Sequence, residues 1–142
     1  MTAKEFLERA FKLYRKLDCN LEQLQRLQDL SKKISSVISG TPTVSNKNFS
    51  RVEAAVTEFQ AQSELLTDDI AEYSRVRIEI AGTIAQIPNE TERLILDYRY
   101  LSFKSWRYIA AILNITARRV YQLHDNALIS VEKILQAADE FH

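Results

Sequence analysis

The chain has 142 residues, enough for one ordinary core or for a small core joined to an elongated helical element. It is 46% hydrophobic with only two Gly and two Pro, too little turn chemistry for a many-stranded sheet, so the expected fold class is all-α. The 19 Lys and Arg are matched by 19 Asp and Glu, which excludes a polycation that holds nucleic acid by bulk charge.

The first residues mix Lys4, Glu5, Glu8 and Arg9 with apolar side chains, unlike a signal peptide. No apolar run approaches the roughly 20 residues that span a bilayer, so no membrane is expected as a partner. Cys19 is the only cysteine and allows no intrachain disulfide, which fits a reducing cytoplasm.

Phe6, Ala10, Leu13, Leu17, Asn20, Leu24, Leu27, Ser31, Ile34 and Ile38 alternate in steps of four and three, the heptad spacing of a helix packed along a narrow stripe. Asn20 interrupts it. Either a buried polar residue there fixes register, or the helix breaks near Asp18-Cys19-Asn20 and residues 1–38 form two shorter helices. Residues 39–50, SGTPTVSNKNFS, have the composition of a linker. Ser50 and Glu53 then resemble a capping box, which predicts a second helix from Arg51.

In that second helix Val52, Val56, Phe59, Ser63, Leu66, Ile70, Tyr73, Arg77, Ile80, Ile84 and Ile87 repeat the spacing. Two long amphipathic helices joined by one loop predict an antiparallel, coiled-coil-like hairpin over residues 1–87. Leu7, Phe11, Tyr14, Leu21, Leu30 and Val37 widen the apolar surface beyond one seam. The extra width calls for a further helix, supplied either by the C-terminal residues or by another protomer, so this region serves oligomerisation, as a dimer, or partner docking.

Pro88 marks the next boundary and opens a second domain, residues 88–142. Asn89 is placed to cap a helix carrying Leu94, Ile95, Tyr98 and Leu101, with Glu90 and Glu92 favoured in its first turn. Ser105 caps a following helix with Trp106, Ile109, Ala110 and Leu113. The stretch SWRYIAAILNITARRVYQLHDNAL, residues 105–128, has the pattern of a helix-turn-helix. Ile109, Leu113, Ile115, Val120 and Leu123 are the positions such a pair must bury, and Ala110 lets the two backbones approach. Asn114 is among the few residues that tolerate the left-handed turn between them. Thr116 caps the last helix, which reaches to about Ala137. The domain is then a three-helix unit ending in the helix-turn-helix.

Neutrality of the whole hides a local imbalance. From Tyr98 to His124 the charged residues are Arg99, Lys104, Arg107, Arg118 and Arg119, all cations. Such a face suits phosphate, whose neutralisation releases counterions. In a helix-turn-helix the second helix enters the major groove, and its outward residues near Thr116 are Ala117, Arg118, Tyr121 and Gln122, with Asp125 beyond them. These are the candidate base readers: Arg pairs with guanine, Gln with adenine, and Ala meets the thymine methyl. Lys104, Arg107 and Arg119 are the candidate phosphate contacts. Trp106 and Tyr108 read as core and rim aromatics, and His124 as a residue on the polar helix face.

No Gly-rich phosphate loop, cysteine pair or histidine metal spacing is present, and Asp68 and Asp69 point in different directions on their helix. The expectation is a protein with no metal, no cofactor and no catalytic residue, not an enzyme.

Residues 87–128 resemble region 4 of bacterial sigma factors. Pro88, Glu92-Arg93, Leu96, Arg99-Tyr100, Ile109-Ala110, Thr116, Val120 and Ala127-Leu128 follow in the same order. The chain is also similar to a family of small phage and prophage proteins grouped with ArpU-type late-operon transcription regulators. That likeness rests on Arg51-Val52-Glu53-Ala54-Ala55-Val56, Arg99-Tyr100-Leu101, Lys104-Ser105-Trp106 and Val120-Tyr121-Gln122-Leu123-His124. The resemblance implies sequence-specific binding of double-stranded DNA and control of phage genes in the cytoplasm of a bacterial host. Residues 1–87 do not resemble the promoter-melting region of a sigma factor, and Ala117 replaces a long polar residue common early in such recognition helices. The alternative is a non-enzymatic interaction module that binds RNA polymerase or another phage protein without touching DNA.

Overall fold

A computed structural model describes the backbone of residues 1–39 and 46–140 and the side chains of residues 1–33 and 50–140. Among the described residues the chain is all helix: α1 (Ala3–Ser39), α2 (Asn46–Ile84), α3 (Glu90–Leu96), α4 (Trp106–Leu113) and α5 (Ala117–Glu140). A single π turn, Asp97–Leu101, continues α3. None of these helices is long and apolar enough to cross a membrane.

α1 runs unbroken through Asn20, which resolves the two readings of that position. Asn20 Nδ2 donates to Asp69 Oδ2 at 2.6 Å, and Lys16 Nζ stands 3.3 Å from Asp69 Oδ1, a polar layer linking α1 to α2. α2 begins at Asn46 rather than Arg51, so Ser50 and Glu53 lie inside the helix and do not cap it. Of the expected linker, residues 40–45 fall outside the described residues, as do the side chains of Ile34, Val37 and Ile38.

The expected α1 stripe is the shielded one, from Phe6 through Ser31. On α2 the expected stripe holds except at two positions. Val52, Phe59, Ser63, Leu66, Tyr73, Arg77, Ile80, Ile84 and Ile87 are shielded as expected, and the helix also turns in Ala55, Gln62, Asp69 and Val76. Val56 and Ile70 are left 43% and 49% exposed. The polar layer accounts for the second of these: Asp69 faces α1 to meet Asn20 and Lys16, and Ile70, the next residue round the helix, is left outward.

The chain divides into two compact units, residues 1–13 with 73–142, and residues 14–72. The expected boundary after residue 87 does not coincide with this division. Ala3, Phe6, Leu7 and Ala10 of α1 and Val76, Ile80 and Ile84 of α2 share one core with Ile87, Leu96, Tyr100, Leu101, Ala127 and Val131. The cause is the apolar width noted above. Leu7 is fully buried in this core and the Phe11 ring lies 5.4 Å from Phe103, so for both residues the further cover comes from the C-terminal part of the chain. Each fully buried side chain of this size contributes about 1.5–3 kcal/mol.

A second cluster of the same unit holds Ile95, Ile109, Val120 and Leu123, with Tyr98, Trp106, Ala110, Leu113 and Ile115 packed around it. α3 separates the two cores, giving Ile95 to one and Leu96 to the other. The expected apolar face of α3 changes accordingly: Leu94 is 36% exposed, and Leu96 and Tyr100 are buried in its place. The π turn causes part of this, since its extra residue, closed by Ser102 N–H to the Asp97 carbonyl at 3.0 Å, rotates the chain that follows. Arg77 donates to the Leu101 carbonyl at the end of the turn. Arg93 ties the entry to α3, donating to the carbonyls of Ile87 at 2.6 Å and Pro88 at 3.1 Å.

Candidate functional site

The site is assembled by helix ends. Asn89 Oδ1 accepts from Glu92 N–H at 3.0 Å and starts α3. Ser105 Oγ accepts from Tyr108 N–H at 3.1 Å and starts α4. Asn114 stops α4 in the left-handed region, φ 54° and ψ 46°. Its N–H and that of Ile115 close back on the Ala111 and Ala110 carbonyls at 3.3 and 3.1 Å, the paired bonds of a Schellman stop. Ile115 tucks into the second core, and Thr116 Oγ1 accepts from Arg119 N–H at 3.1 Å to begin α5. Three residues thus turn the chain between α4 and α5 while Ile109, Val120 and Leu123 lock the two helices together.

That packing exposes Ala117, Arg118, Arg119, Tyr121 and Gln122 on the first two turns of α5. Arg118 has no hydrogen-bond or ion-pair partner among the described residues, and neither has Arg107 on the first turn of α4. Arg119 Nη1 reaches Gln122 Oε1 at 3.4 Å, so the Gln122 carbonyl is engaged and its amide N–H groups are left to a ligand. Lys104 is exposed with its ammonium 5.0 Å from the centre of the Tyr108 ring. Asp125 is exposed and marks where the cationic run on α5 ends.

Arg99 departs from the other cations. Its guanidinium donates to the Lys104 carbonyl at 3.1 Å and lies 4.5 Å over the Trp106 ring, so it braces the loop before α4. Trp106 in turn meets Tyr121 at 5.4 Å and His124 edge-on at 4.6 Å. One indole therefore connects the start of α4 to the exposed face of α5.

His124 does not lie on the polar helix face. It is buried, its Nε2 is 2.7 Å from the Tyr100 hydroxyl, and the two rings stack at 5.7 Å. The spacing carried the signal: position 124 lies four residues after Val120 and three before Ala127, on the buried stripe. Burial pushes the His124 pKa below its ordinary value, with nearby Asp125 opposing the shift. Burial also pushes the Tyr100 hydroxyl up to about 12. The pair is accordingly neutral near pH 7, and its hydroxyl–imidazole hydrogen bond fixes α5 against the π turn.

Among the described residues no group of three or more His, Cys, Asp or Glu could hold a metal ion. Comparison of the chain with protein-family models, curated proteins and solved structures gives no match.

Proposed function

We propose that the protein is a sequence-specific DNA-binding regulator in which α4 and α5 act as a helix-turn-helix and α5 enters the major groove. The carrying observation is the exposed start of α5, where Arg118, Arg119, Tyr121 and Gln122 project from a helix whose opposite side is locked into a core. Arg118 is the guanine reader, Gln122 reads through its free amide donors, and Ala117 and Tyr121 line the groove. Lys104, Arg107 and Arg119 hold phosphates and set the register of the unit on the duplex. The resemblance of residues 87–128 to sigma region 4, and of the wider chain to ArpU-type regulators, supports placing the protein among phage or prophage transcription regulators.

In this reading α1 and α2 form an antiparallel hairpin that brings two copies together. A two-fold pair of reading helices meets two half-sites about one helical turn apart and supplies affinity that a single helix cannot. Selection from random duplexes at moderate salt tests it: enrichment of one sequence with two-fold symmetry is the expected result, and no enrichment refutes it. On the enriched duplex, Arg119→Ala should weaken all sequences alike and reduce the salt slope by about one unit.

A second reading, docking on RNA polymerase or another protein without DNA contact, is favoured by Tyr108 and Ile112. These lie four residues apart on α4 and are 41% and 50% exposed. Failure of the duplex selection together with capture of polymerase would decide for it.

A further inference from the structure

We infer that Ala117 and Tyr121 form an apolar notch that reads the 5-methyl group of thymine, with Trp106 as the positioning residue behind it. This rests on the DNA-binding reading above and assigns it a base chemistry.

The exposed residues on the first two turns of α5 fall into two kinds. Arg118, Arg119 and Gln122 meet solvent with hydrogen-bonding groups, whereas the Ala117 methyl and the Tyr121 ring, behind its single hydroxyl, are the apolar remainder. The latter two are four residues apart, so one stands above the other along the same face of the helix. Tyr121 is 47% exposed yet is not a loose surface ring. One side rests on Trp106 with the rings 5.4 Å apart and tilted by 56°. Trp106 is held in its turn by the Arg99 guanidinium at 4.5 Å and the His124 edge at 4.6 Å. Arg99 is fixed by the Lys104 carbonyl. Three side chains, Trp106, Arg99 and His124, thus hold an exposed aromatic ring in one place, which serves recognition by shape.

The surroundings select the occupant. Arg118 and Arg119 lie on the neighbouring strips of the same two turns, and no acidic residue occurs between Tyr98 and His124. A cation-flanked apolar notch complements a polyanion that carries an apolar group, and the apolar group displayed in the major groove is the thymine methyl.

The test is a pair of selections with the full chain, one from random duplexes made with thymidine and one from duplexes made with deoxyuridine, which lacks only the methyl. Anisotropy titrations then compare the enriched duplex in both forms at the same salt. Loss of one buried methyl should weaken binding about fourfold for each contacted thymine. Tyr121→Phe should keep the discrimination, because the ring makes the contact, and Tyr121→Ser should bind both forms alike. Trp106→Leu, measured well below its melting temperature, should reduce the thymine preference while leaving the salt slope unchanged. A purely structural role would lower the melting temperature alone and would overturn the positioning assignment.

Equal binding of the two forms by the parent, with sequence selection intact, overturns the notch and leaves the DNA-binding reading standing. Unchanged discrimination in Tyr121→Ser overturns it as well. No selection from either pool removes the DNA-binding reading and the notch with it.

Discussion

Residues 14–72 and the unit made of residues 1–13 and 73–142 are both helical, but they are held together in different ways. In the larger unit nine side chains of Val size or above are essentially sealed from solvent, from Leu7 to Val131. Between residues 14 and 72 the one described residue that is buried is Ala55, at 9% exposure. Leu17, Leu24, Leu27, Phe59 and Leu66 are only half-buried. Two helices have a single seam to share, whereas α3 and α5 give the larger unit cover on several sides. The candidate face therefore sits on the part of the molecule with the sealed core, and the two-helix part is specified by a polar layer more than by buried area.

The difference is open to attack from both sides. Leu96→Ala should cost about 2–5 kcal/mol in urea unfolding, because a sealed side chain leaves a cavity. Leu24→Ala at the half-buried seam should cost about 1–2 kcal/mol, as less apolar surface leaves contact. Comparable losses at the two sites would erase the distinction.

Asn20→Ala should cost about 1–2 kcal/mol, since it takes a donor from a half-buried carboxylate that keeps only Lys16. Asn20→Leu should raise the melting temperature and loosen the register between α1 and α2, read by amide exchange around Asp69. If Asn20→Ala melts like the parent, the polar layer does not specify the seam.

The smallest effect is a pH dependence. His124 has a folded pKa below its unfolded value of about 6.5, so the unfolded chain binds the extra proton first. The contribution of neutral His124 is complete above about pH 6.5 and is lost as pH falls below it. The urea midpoint of the parent should therefore decline on acidification, and His124→Gln, which keeps a hydrogen-bonding group for Tyr100 and does not titrate, should decline less. Identical profiles would count against it.

Much of this organisation was legible in the sequence where one residue type has one physical use. Asn89, Ser105 and Thr116 cap helices and Asn114 takes the left-handed turn, because short polar side chains bond to the backbone nearby. The α1 stripe followed from heptad spacing. What was not legible came from tertiary demand. Asp69 turns α2 to satisfy Asn20, and the π turn re-aims α3. The ends of α1 and α2 join the C-terminal core because α5 brings Ala127 and Val131 to them. At the candidate face, the exposure of Ala117, Arg118, Tyr121 and Gln122 follows from the apolar positions between them. The diversion of Arg99 onto Trp106 could not be read, because a cation in a basic run gives no sign of which neighbour it will pack on.

The most direct measurement is the affinity of the parent and Arg118→Ala for the enriched duplex and for its single-base variants, at one salt concentration. A weakening of about 1–3 kcal/mol, concentrated at one guanine and accompanied by relaxed preference there, is the expected result. Parent-like affinity and parent-like preference in Arg118→Ala would contradict the assignment of this face as the reader of DNA.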